Sequence, residues 1–150
     1  MERQESRLLS EIGATEKQFD ALYRRASRNL HLSDCSMWVL YYLHLSDEPL
    51  TQQELIEMMA FPKQTINSAV SSLSKSGTVE LEMIPGTRNK KVIALTDAGM
   101  ELVSSTVARM RSAEERAVAS MGAEKLRQLS RLYGEFHKAL EKSFEEEGIV

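Results

Sequence analysis

Apolar residues recur at steps of three and four over most of the chain, which is the period of helices with one buried face. Leu8, Ile12, Phe19, Leu22/Tyr23, Ala26 and Leu30 predict a helix from Ser6 to about Leu30. Ser33 then offers an N-cap, and the stretch from Asp34 to Leu45 is apolar nearly all round, from Met37 and Trp38 to Leu43 and Leu45. A helix without a polar face is central and covered by others. Pro49 forbids its continuation. Thr51-Gln52-Gln53-Glu54 has the spacing of a capping box, opening a short helix from Gln52 to Met59 that buries Leu55, Ile56 and Met59. Only Ala60 and Phe61 separate it from Pro62, which suits the first position of the next helix. Two helices joined by so short a turn form a helix-turn-helix.

The helix predicted over Pro62–Ser76 has two faces. Ile66, Ala69/Val70 and Leu73 form an apolar stripe, while Gln64, Asn67/Ser68, Ser71 and Lys75 share the opposite side. Gly77 takes the position after its end, where a left-handed backbone is needed. The period then falls to two. Val79–Ile84 and Lys91–Thr96 read as a hairpin, joined by Pro85-Gly86-Thr87-Arg88-Asn89-Lys90, a longer turn than folding requires. Thr96 can cap a helix running from Thr96 to Met121, with apolar positions at Met100, Val103, Val107, Met110, Ala117 and Met121. After Gly122, the residues Leu126, Leu129, Tyr133, Phe136 and Leu140 repeat heptad-like steps. The acidic run Glu145-Glu146-Glu147 is expected to fray the end of that helix.

Charge sharpens this picture. The net charge of −3 argues against nucleic acid, but its distribution does not. Between Pro62 and Lys91 stand five bases and two acids, a local +3 that leaves −6 for the other 120 residues. Binding to nucleic acid depends on the field at the contact face, not on the total. The polar face of the Pro62–Ser76 helix contains no acid. Its Gln64, Asn67, Ser68 and Ser71 suit base edges, whereas Lys63, Thr65 and Lys75 suit phosphates. Arg88, Asn89, Lys90 and Lys91 give the hairpin a basic tip.

At 150 residues with 42% hydrophobic content, the chain fits one ordinary domain that folds without disulfide or metal. A single cysteine, no apolar run of membrane length and a charged N-terminus lead to the expectation of a cytoplasmic protein with no membrane association. There is no Gly-rich phosphate loop, no nucleophile with a base at usable spacing and no clustered metal ligands, so neither an enzyme nor a cofactor or metal site is expected. Cys35 lies near a helix start, but Asp34 opposes its ionisation, and a buried inert thiol is the expectation.

Three helices, a two-stranded wing and two long terminal helices, in that order, resemble the multiple-antibiotic-resistance regulator (MarR) family of winged-helix transcription factors. The resemblance is carried by Met37-Trp38-Val39-Leu40, Thr51-Gln52-Gln53-Glu54-Leu55, Val70-Ser71-Ser72-Leu73-Ser74-Lys75-Ser76-Gly77 and, most specifically, Leu95-Thr96-Asp97-Ala98-Gly99. It implies that Pro62–Ser76 is a recognition helix and Arg88 the wing-tip arginine that reaches a minor groove. The chain departs from the pattern at Gly86 and Thr87, where such wings carry an Asp that braces the arginine, and at Thr78, where they carry an apolar residue. The resemblance also implies a small aromatic or phenolic effector. Trp38, Tyr41 and Tyr42 are its candidate contacts, although on so apolar a helix they are core residues first.

The expected architecture is mainly α with a small β-wing, in one domain of residues 1–150. A winged helix-turn-helix lobe spans about 34–96, and helices at about 6–30 and 97–146 form a dimerisation region. The terminal helices offer more apolar face than one small lobe can cover, which points to a homodimer. The expected function is a regulator that binds a pseudo-palindromic site in double-stranded DNA, as a repressor by analogy. A winged helix that binds proteins and not DNA is the alternative.

Overall fold

A computed structural model of the chain describes residues 3–88 and 90–150. Helix α1 spans Arg3–Asn29, and α2 spans Asp34–Leu45. The Ser33 side chain caps α2 by accepting from the Ser36 N–H. A two-residue strand, β1 (Leu50–Thr51), leads into α3 (Gln52–Met58). The capping box is complete: Thr51 accepts from the Glu54 backbone, and the Glu54 carboxylate accepts from the Thr51 N–H. Helix α4 (Lys63–Lys75) follows, then β2 (Val79–Met83), β3 (Lys91–Leu95), α5 (Asp97–Ser105), α6 (Val107–Met121) and α7 (Ala123–Glu146).

The sheet has the order β1-β3-β2, antiparallel throughout, with Leu50 opposite Ile93 and Met83 opposite Lys91. Strand β1 ties the start of α3 to the wing, a link that the hydrophobic pattern did not reveal. Met37, Val39 and Leu40 of α2, Leu55 of α3, Ile66 and Val70 of α4, and Val79 and Ile93 of the sheet are all buried. The predicted apolar stripe of α4 is thus the face it turns to the core. The alternation of β2 is covered only at its base. Val79 is buried, while Leu81 and Met83 remain exposed because the hairpin extends beyond the core.

Several expectations need correction. Pro62 is the N-cap of α4, with extended ψ of 138°, and not its first helical residue; its carbonyl accepts from the N–H groups of Thr65 and Ile66. The helix expected to be continuous from Thr96 to Met121 breaks at Thr106. There the Ser105 and Thr106 hydroxyls both donate to the Leu102 carbonyl, and such back-bonding bends helices. The acidic run does not shorten α7, which reaches Glu146. Gly148 closes it, with the Ile149 N–H donating to the Phe144 carbonyl.

Gly77 and Gly99 are fixed by geometry. Gly77 has a φ of 73° and ends α4 in a Schellman motif, in which its N–H donates to Ser74 and that of Thr78 to Leu73. At Gly99 a Cβ would lie 2.0 Å from the Thr78 carbonyl oxygen. That oxygen also accepts from the Thr96 N–H, and the Thr96 hydroxyl caps α5 through the Gly99 N–H. The Leu95–Gly99 segment is therefore a clamp between the end of the wing and the start of α5.

The described residues divide into two compact units, one ending at Met110 and the other beginning at Arg111. The second unit holds most of α6 and all of α7, and α7 contains no buried residue.

Candidate nucleic-acid interface

The core stripe of α4 forces its other side outward. Lys63, Gln64, Thr65, Asn67, Ser68, Ser71 and Lys75 are all exposed. Gln64, Asn67, Ser68, Ser71 and Lys75, together with Ser72, line one shallow surface groove. Ser72 was not singled out from the sequence. The groove contains no acid, and its hydrogen-bonding groups are partly committed. The Ser68 hydroxyl donates to the Gln64 carbonyl at 2.9 Å, which leaves its oxygen as an acceptor. The Asn67 Oδ1 accepts from Gln52 Nε2 at 2.5 Å.

The wing is the second basic element of the same lobe. Arg88, Lys90 and Lys91 are exposed; Asn89 lies outside the described residues. Among the described residues Arg88 has no ion pair, and the Asp that braces such an arginine in the resembled family is absent. The tip is nevertheless organised. The Thr87 N–H donates to the Ile84 carbonyl at 3.1 Å, and its hydroxyl donates to the same oxygen at 2.8 Å. The Ile84 N–H closes the loop on the Lys90 carbonyl at 2.9 Å. Thr87 thus shapes the backbone that carries Arg88, although it has no carboxylate to brace the guanidinium.

Glu54, at the start of α3, has a lowered pKa. Hydrogen bonds from the Thr51 backbone and side chain lower its pKa, and the Lys90 ammonium lowers it further. Thr78, the other departure, is buried, with its hydroxyl 2.8 Å from that of Ser76. A polar residue is accommodated there because it has a partner.

A separate cleft of about 490 Å³ lies between α1, α2 and the α3–α4 turn. Its lining includes Asp20, Tyr23, Arg24, Asp34, Trp38, Tyr42 and Met58 to Phe61. The Trp38 ring centroid lies 5.0 Å from that of Tyr23, tilted by 45°, and meets the Tyr41 ring edge-on at 5.2 Å. Of the three aromatic candidates, Trp38 and Tyr42 face the cleft; Tyr41 packs behind Trp38 and is not part of its lining. Cys35 is buried in the core, and desolvation pushes its thiol pKa up, away from the reactive thiolate. Among the described residues no three His, Cys, Asp or Glu side chains come together as metal ligands, and no helix is long and apolar enough to cross a membrane.

A family model described as MarR family matches residues 32–88, from the start of α2 to the wing tip. Over this stretch the winged lobe is similar to the MarR family. An HTH-type transcriptional repressor, NicR of Pseudomonas putida, is 32% identical over 75 residues, covering 50% of this chain and 48% of that protein. The match therefore spans about half the length of this curated relative. A MarR family regulator from Neisseria meningitidis shares the fold with a TM-score of 0.80 at 20% identity, covering 93% of this chain and 97% of that one. A MarR family regulator from Listeria monocytogenes, complexed with a 26-mer DNA, has a TM-score of 0.68 at 15% identity, covering 91% and 90%. These relatives are named as regulators, the P. putida protein as a transcriptional repressor. For the MarR fold, the expected winged helix-turn-helix flanked by terminal helices is the architecture found.

Proposed function

We propose that this chain is a sequence-specific regulator of transcription that binds double-stranded DNA as a homodimer. One observation carries the reading: the outward face of α4 is free of acids, lined by amide and hydroxyl groups, and belongs to the same lobe as an exposed basic wing. In this reading α4 enters a major groove. Gln64, Asn67, Ser68 and Ser71 address bases, while Lys63, Thr65 and Lys75 hold phosphates. Arg88 enters the flanking minor groove, with Asn89, Lys90 and Lys91 on the adjoining backbone. Repression is supported by the name of the P. putida relative.

Two copies are supported by apolar faces left uncovered within each unit. On α1, Leu8, Leu9, Phe19 and Leu22 are exposed; on α7, Leu129, Leu132 and Tyr133 are each about half exposed. Covering them in a two-fold dimer would remove that apolar area from water and space the half-sites about one DNA turn apart. The aromatic cleft supports a small aromatic effector. It is bounded by Met59, Ala60 and Phe61, immediately before α4, so a ligand there acts on the element that reads DNA. It shifts binding only by preferring one placement of that helix.

Selection from random duplex DNA tests the reading, followed by salt titration on the selected site. Arg88→Ala is expected to weaken binding and to lower the slope of log affinity against log salt by about one. An unchanged slope removes the wing from the interface. Failure of the parent chain to enrich any sequence favours the protein-binding alternative.

A further inference from the structure

The exposed amide of Asn67 is not a free reader. Strand β1 pairs with β3 and holds Thr51 opposite Val92, and the Thr51–Glu54 capping box fixes the first turn of α3. Gln52 is the first residue of that turn and is half-buried. From this anchored position its Nε2 reaches across to α4 and donates to Asn67 Oδ1. Fifteen residues separate the two in sequence, and their bond runs from α3 to the middle of the groove-forming face.

We propose that Gln52 is a specificity-determining positioning residue, which fixes the Asn67 amide so that it presents hydrogen-bond donors to DNA. The proposal rests on the DNA-binding reading above. An unconstrained Asn pairs with adenine through both ends of its amide, accepting from N6 and donating to N7. Here Gln52 takes one lone pair of Oδ1 and ties that end of the amide to α3, which leaves the two Nδ2 hydrogens as its uncommitted donors. In the major groove, guanine offers two adjacent acceptors, O6 and N7, and demands no acceptor in return. The Gln52–Asn67 pair therefore favours guanine over adenine at the base pair read by Asn67. The Gln52 Oε1 is left to accept from a neighbouring group.

Parallel selections with the full chain and three variants test this. Asn67→Ala identifies the base pair concerned, as the position whose preference collapses. The parent chain is expected to prefer guanine there. Gln52→Leu frees Oδ1 and is expected to raise adenine relative to guanine roughly tenfold, within the range of one bidentate base contact. Gln52→Glu only accepts, so it turns the amide over and moves the preference towards the amino groups of adenine or cytosine. A parent preference for adenine at that position, or a Gln52→Leu profile identical to the parent's, overturns the proposal while leaving DNA binding intact. Enrichment of no sequence by the parent overturns both.

Discussion

Helix α2 has 12 residues, and Cys35, Ser36, Met37, Val39 and Leu40 among them are buried; α7 has 24 residues and none that is buried. Both are rich in apolar side chains, but they are apolar in different ways. In α2 the apolar residues surround the axis, so the helix needs neighbours on every side and finds them in α4, α5 and the sheet. In α7 they form one seam, with charged residues between them. A seam of this kind is covered by a single partner surface. The winged lobe therefore carries its own core, whereas α7 has an apolar seam and no buried residue.

The two regions should respond in opposite ways to the loss of a leucine. Leu40 is fully buried at the centre of the lobe, and Leu40→Ala is expected to cost about 2–5 kcal/mol in denaturant unfolding without changing the sedimenting mass of the folded fraction. Leu129 on α7 is 49% exposed. Leu129→Glu is expected to keep the helical signal and reduce the sedimenting mass to that of one chain at micromolar concentration. If the variant sediments as the parent does, the α7 seam is not the dimer face.

The same contrast explains what could be read from the sequence. The boundaries of α2, the α3 capping box and the buried stripe of α4 follow from local period and capping chemistry, and these elements are as expected. The features that escaped depend on contacts distant in sequence or on hydroxyl chemistry that leaves no period. Strand β1 is two residues long, too short to alternate, and exists because Leu50 meets Ile93. The break at Thr106 lies between Val103 and Val107, whose spacing fits an uninterrupted helix; the hydroxyls that divide it are invisible to hydrophobic periodicity. Among candidate contacts, Asn67 could be found on its helix face, but its partner Gln52 belongs to another helix. Thr87 lacks the carboxylate that the resemblance leads one to expect near Arg88, and its contribution, a hydroxyl bond to the backbone of the tip, leaves no pattern in the sequence.

Gly99 tests how tightly the lobe is closed. Its place beside the Thr78 carbonyl joins the wing to α5, and a methyl group there would overlap backbone rather than a movable side chain. Gly99→Ala is expected to destabilise the lobe by about 3 kcal/mol, at the upper end of ordinary overpacking, as measured by thermal or denaturant unfolding. Gly134, in the interior of α7, has open space around it. Gly134→Ala is therefore expected to be neutral or slightly stabilising through helix propensity. Equal effects at the two glycines would remove the clamp as an explanation for the Leu95–Gly99 segment.

The smallest difference lies in how the two regions begin their helices. Helix α7 starts at Gly122, which has no side chain to cap it, whereas α3 starts with the Thr51–Glu54 box. In the folded lobe the Glu54 pKa is held below its ordinary value of 4.5 by hydrogen bonds from Thr51 and by the Lys90 charge. The ionised form is thus favoured by folding. Its contribution is fully present above the ordinary carboxylate range and is lost as pH falls through the lowered value. Glu54→Gln keeps an acceptor for the box but removes this titration. The parent should therefore lose its advantage over the variant on acidification, with the gap in unfolding midpoint widest near neutral pH. A gap that stays constant down to acid pH would mean that Glu54 acts through shape alone, without its charge.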